Sequence, residues 1–115
     1  MFITLVQIAI GGAIGSVLRY LTLSVVSAPI GTLIVNVVGS LVMGALFIIL
    51  SSRVHPLLMT GILGGFTTFS AFSLDAMKLW QGGQVLPAVG YVAASVILSL
   101  IAVALGAALA RGALA

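Results

Sequence analysis

Four long apolar stretches take up nearly the whole chain, and nothing else in the sequence limits its fold as strongly. They cover about residues 2–26, 30–50, 57–80 and 85–110. Each is close to or longer than the roughly 20 residues an α-helix needs to cross a hydrocarbon core of about 30 Å. The runs are continuous rather than alternating, which excludes the strands of a membrane barrel. Charge is scarce: among 115 residues only Arg19, Arg53, Asp75, Lys78 and Arg111 carry it at neutral pH. A soluble domain uses about 25% charged residues to face water, so a water-solvated globule is excluded. Four scattered cations also make no nucleic-acid footprint. The fold class expected is an all-α integral membrane protein, one four-span domain over residues 1–115 with short loops and no soluble domain.

The connections have local chemical reasons. Ser27-Ala28-Pro29 ends the first span, because proline disfavours helix in the residue before it. The second connection is Ser51 to Pro56, which holds Arg53 and His55. Gln81-Gly82-Gly83-Gln84 is a turn, and Pro87 falls in the first turn of the fourth span, where a missing N–H costs little. That span is expected to end at Arg111-Gly112. The first stretch lacks a basic leader and a cleavage pattern, so it reads as a retained span rather than a signal peptide. With no cysteine, disulfides and thiolate metal sites are excluded.

Four spans put Arg53 and Arg111 on one side of the membrane, with Lys78 and Arg19 leaning to the other. Two cations against two assign no orientation by the positive-inside rule. Two readings stay open: charges too few to orient the chain, or insertion both ways with antiparallel self-pairing.

Polar groups inside the spans need partners or a polar path. Thr32, Asn36 and Ser40 recur at every fourth position of span two, as Tyr91, Ser95 and Ser99 do in span four. Each set is a stripe on one helix face. Such stripes either bridge packed helices or line a polar track. Gly11 and Gly15 form a G-x-x-x-G pair that, with Gly12, Gly39 and Gly44, suits close helix packing. Span three carries Gly61, Gly64-Gly65 and then Phe66-Thr67-Thr68-Phe69-Ser70-Ala71-Phe72-Ser73. Adjacent glycines before hydroxyl residues make a poor helix, so a break near mid-membrane is expected. Its freed carbonyls either bond to Ser and Thr side chains or bind a cation. Phe69 and Phe72, three apart, share a face, and the positive ring edge of phenylalanine can meet an anion.

Arg19 either snorkels to the interface or draws anions inward. Asp75 and Lys78, three apart, are placed to pair. His55 lacks the neighbours of a metal ligand or base. One carboxylate and no activated serine leave no catalytic constellation, so no enzyme is expected.

Three runs together resemble the CrcB/Fluc fluoride channel family: Gly11-Gly12-Ala13-Ile14-Gly15-Ser16-Val17-Leu18-Arg19-Tyr20, Gly31-Thr32-Leu33-Ile34-Val35-Asn36-Val37-Val38-Gly39, and Gly64-Gly65-Phe66-Thr67-Thr68-Phe69-Ser70-Ala71-Phe72-Ser73. The Tyr91, Ser95, Ser99 spacing is similar to its fourth-span polar track. The resemblance implies an antiparallel dual-topology homodimer in a prokaryotic plasma (inner) membrane, with two fluoride pathways. It implies a structural sodium ion at the dimer interface, held by the backbone carbonyls of Gly64 and Thr67. It places Phe69 and Phe72 with their ring edges toward fluoride, Asn36 as an amide donor near Thr32, and Tyr91, Ser95 and Ser99 along the track. Thr68 and Ser70 of the signature belong to the same pathway, and Arg19 lies near its vestibule. The activity implied is passive fluoride export. A small four-span cation or drug antiporter is the competing reading, with Asp75 as its only proton-exchanging group; a scaffold subunit without transport is a third.

Overall fold

A computed structural model describes residues 1–50 and 55–115 of the chain. Arg53, assigned to the second connection, lies outside the described residues. Helix α1 spans Phe2–Val25 and α2 spans Ile30–Ile49. The third span begins with a π-helical segment, Pro56–Leu63, continues as the single turn α3, Gly64–Phe66, and resumes as α4, Phe69–Gln81. Helix α5, Val85–Leu114, completes the chain. All four spans are long and apolar enough to cross a membrane. Large apolar side chains point outward along them, Val25, Leu86 and Leu100 among many. In lipid such a surface is the solvated one, because acyl chains are as apolar as leucine.

With little hydrophobic drive between helices, close backbone approach has to hold the spans together. It does so at two seams. Where α2 crosses α5, a Cβ on Gly44 would strike the Val103 carbonyl, and one on Gly106 would strike the Leu41 carbonyl. Where α1 meets the third span, a Cβ on Gly11 would come within 2.8 Å of Gly61 Cα, and one on Gly65 within 2.7 Å of the Gly12 carbonyl. Gly15 is sealed by Ile62 in the same way.

The third span is broken, at a place two residues beyond the glycine pair. Gly64 is helical, with φ −62° and ψ −36°, and Gly65 serves the seam with α1. The chain turns extended at Thr67 (φ −84°, ψ 156°) and Thr68 (φ −152°, ψ 122°). The glycines weaken the helix, but hydrogen bonds made at the threonines decide where it stops. At the far end α5 runs through Arg111-Gly112 to Leu114, where a stop was expected; Gly112 takes no left-handed conformation that would cap it. Between α4 and α5 Gly83 does, at φ +80°. There the Gln84 N–H donates back to the Leu79 carbonyl at 2.9 Å, closing the turn expected at Gln81–Gln84.

Candidate functional site

The break is built by one side chain from the neighbouring helix. Asn36 of α2 donates from Nδ2 to the Thr68 carbonyl at 3.0 Å and accepts the Thr68 N–H on Oδ1 at 2.8 Å. Its amide thus replaces a peptide partner for one residue. Thr68 in turn caps α4, its Oγ1 accepting the Ala71 N–H at 3.1 Å and lying 3.4 Å from Ser70 Oγ. Such a cap satisfies one of the free N–H groups that begin a helix.

These two bonds leave carbonyls of the span without their helical partners. A regular helix would send the Thr68 N–H to Gly64 O and the Ala71 N–H to Thr67 O. Both donors are committed elsewhere. The Thr67 carbonyl accepts instead from Arg19 Nη1 at 3.4 Å, while Gly64 is exposed. The carbonyls of Gly64 and Thr67, which the family resemblance names as cation ligands, are thus among those that lose their helical partners at the break. Backbone oxygens are hard donors suited to an alkali cation. Among the described residues no group of three or more His, Asp or Glu side chains is gathered as a metal site. Thr67 itself is seated tightly: its Oγ1 donates to the Leu63 carbonyl at 2.9 Å, and its methyl fills the space where Gly39 of α2 has no Cβ.

Beside the break lies a cavity of about 370 Å³. The two stripes meet there: Asn36 and Ser40 from α2 face Ser95 and Ser99 from α5, with Thr67, Thr68, Phe69 and Phe72 closing one wall. No charged side chain lines it. Phe69 and Phe72 have ring centroids 5.3 Å apart, and Phe72 continues to Tyr91 at 5.4 Å, with interplanar angles of 54° and 45°. Tilted pairs of this kind set the edge of one ring toward the face of the next. The two phenylalanines differ in surroundings: Phe72 is 8% exposed and Phe69 77%. Ser70 is exposed on α4.

Other residues named from the sequence stand outside this cavity. Thr32 and Tyr91 lie one turn before Asn36 and Ser95 on their helices, and Tyr91 reaches Asp75. Arg19 approaches the break from α1. Asp75 and Lys78 do not form the pair expected of them. Asp75 is buried and accepts the Tyr91 hydroxyl proton on Oδ2 at 3.1 Å, and Lys78 is exposed. The reason is helix phase: Phe72 and Asp75 share one face, which packs on α5, and Lys78 lies on its outer margin. The i, i+3 spacing of Phe72 and Asp75 carried that signal in the sequence.

Four apolar helices, one interrupted beside a polar cavity, define a multi-pass integral membrane protein with a polar site inside its spans. The chain belongs to the CrcB family, whose description "CrcB-like protein, Camphor Resistance (CrcB)" matches residues 6–107. It is similar to the protein named "Fluoride-specific ion channel FluC" of Cereibacter sphaeroides, at 51% identity over 97% of this chain and 98% of that protein. A protein of the same name from Paracoccus denitrificans is 48% identical over 95% of both chains. Another from Ruegeria is 45% identical over 99% of both.

Proposed function

We propose that the protein is a fluoride-selective channel that lets the anion leave the cytoplasm passively. The observation that carries this reading is the uncharged cavity lined by Asn36, Ser95, Ser99, Phe69 and Phe72, in a chain whose relatives bear a fluoride-channel name. Fluoride is small and strongly hydrated, so a pore must replace its water with close donors. Hydroxyls, an amide and ring edges do so without a fixed positive charge that would hold the ion in place.

The working unit is an antiparallel pair of chains with two pathways. The cavity beside Phe69 is open on one side, and Phe69 itself is exposed. Lipid cannot satisfy the Ser and Asn groups found there, and a second copy would. Gly64 and Thr67 would hold a structural sodium ion between the copies. When bound, that ion supplies positive charge against the released carbonyls. Arg19 already shares the Thr67 carbonyl, so the guanidinium and the ion would divide its lone pairs.

Purified protein in liposomes should release fluoride, and not chloride, when an ionophore balances charge. Equal release of both anions, or of neither, would overturn the reading. The antiporter alternative requires release to depend on a proton gradient, which the same vesicles measure.

A further inference from the structure

The cavity beside the break is not the end of the open space between α2 and α5. Met43 and Val103, its lining residues furthest along those two helices, also line a second cavity of about 480 Å³. Gly44, Phe47, Ala104 and Ala107 continue its walls, and Met59 of the third span closes it. Space is left there because Gly44 and the two alanines carry little or no side chain. The α5 row that begins Tyr91, Ser95, Ser99 runs on at the same spacing as Val103, Ala107 and Arg111. Arg111 lines the second cavity, and among the described residues no other charged, hydroxyl or amide side chain does.

This order of groups suits an anion that must regain its water. Ser95 and Ser99 replace hydration with hydroxyls, as the pathway above requires. Met43 and Val103, where the two cavities meet, offer no side-chain donor, and apolar constrictions control passage by excluding water. Beyond them there is space for several waters, each needing about 30 Å³, and a guanidinium that stays charged at any working pH. Ser99 and Arg111 are about 18 Å apart along the helix, from a rise of about 1.5 Å per residue. That exceeds the Debye length of about 8 Å in physiological salt. A cation so placed concentrates anions at the mouth without deepening the well that holds them in the track.

On the channel reading above, we propose that the fluoride pathway continues past Met43 and Val103 into this second cavity, and that Arg111 gathers the anion at that mouth. In the antiparallel pair proposed above, one such mouth opens on each face of the membrane, so the orientation of reconstitution does not matter.

The chain has no cysteine, so Ala107→Cys supplies a single thiol in the second cavity. A thiol reacts as its thiolate, which forms in water and not in lipid. In liposomes this variant should react with a membrane-impermeant, negatively charged thiol reagent. Labelling should cut its fluoride efflux about tenfold, because the adduct sets a like charge in the passage; the unaltered protein, treated in the same way, gives the background. A thiol that stays unreactive, as in a lipid-filled groove, or a labelled protein with undiminished efflux overturns the proposal and leaves the channel reading intact. Arg111→Gln should lower efflux about fivefold at low ionic strength, the scale of one unit charge acting at ~4 Å in water, and little in high inert salt, with Arg111→Lys restoring it. No loss, or the same loss at both ionic strengths, overturns the role of Arg111. If Arg111→Gln does not fold, judged by gel filtration, labelling of Ala107→Cys decides the matter: at low ionic strength the anionic reagent should react faster than a cationic one of the same size, and equal rates count against Arg111. No fluoride-selective efflux from the unaltered protein would remove the channel reading itself.

Discussion

At the α2–α5 crossing, two unbroken helices press together at Gly44 and Gly106 until a single added carbon would strike a carbonyl. Between those glycines in sequence, at Thr67–Thr68, the third span abandons helical bonding and takes Asn36 as its substitute partner. The first region keeps every backbone bond inside its own helix and needs only small side chains. The second frees backbone carbonyls from their helical partners and needs polar side chains supplied from another helix. Lipid explains both: with no water to satisfy a stray N–H or C=O, a span is either fully regular or repaired by its neighbours. The regular region supplies rigidity, and the repaired one supplies exposed polar groups that can act.

Substitutions separate the two regions. The largest effect is expected at the crossing. Gly106→Leu cannot be accommodated by backbone on both sides and should prevent assembly of the folded chain, seen as aggregation on gel filtration in detergent. A well-folded variant would mean that α2 and α5 can separate without cost. Next comes Asn36→Ala, which leaves the Thr68 N–H and carbonyl unpaired at about 1–3 kcal/mol each. A large fall in thermal stability and loss of fluoride efflux are expected. Retained efflux would show that the break holds without its clamp.

A smaller loss, about 1 kcal/mol, should follow Thr68→Ala, the cost of an absent helix cap, with Thr68→Ser restoring the melting temperature. Phe69→Ile should leave stability nearly unchanged, because the ring is 77% exposed. Fluoride efflux should nonetheless fall. Unchanged efflux would remove the ring edge from the pathway.

The regular region was readable from residue order. Span number, the turn at Gly83 and the glycine seams follow from hydropathy and from the small residues at helical spacing. The break was readable as an event but not as a position. The run of glycines and hydroxyl residues suggested a break near mid-membrane, and the interruption falls at Thr67–Thr68 because Asn36, 32 residues earlier, takes the Thr68 N–H. Asp75 shows the same limit. Its neighbour in sequence is Lys78, but its partner is Tyr91, 16 residues on. Local spacing names the groups that can bond, and helix phase chooses among them.

The sequence by itself determined that this chain lives in lipid, because five charges cannot solvate 115 residues in water. It also determined that two stripes of hydroxyl and amide groups had to be matched inside the membrane. Only the tertiary structure decided that Asn36 and Ser40 face Ser95 and Ser99 across one cavity, that the third span breaks at Thr67–Thr68, and that the lone carboxylate takes a phenol rather than an ammonium as its partner. The physical reason is the range of the forces involved. Transfer into lipid is summed residue by residue along a span, whereas a hydrogen bond exists only between groups that the fold has brought within about 3 Å.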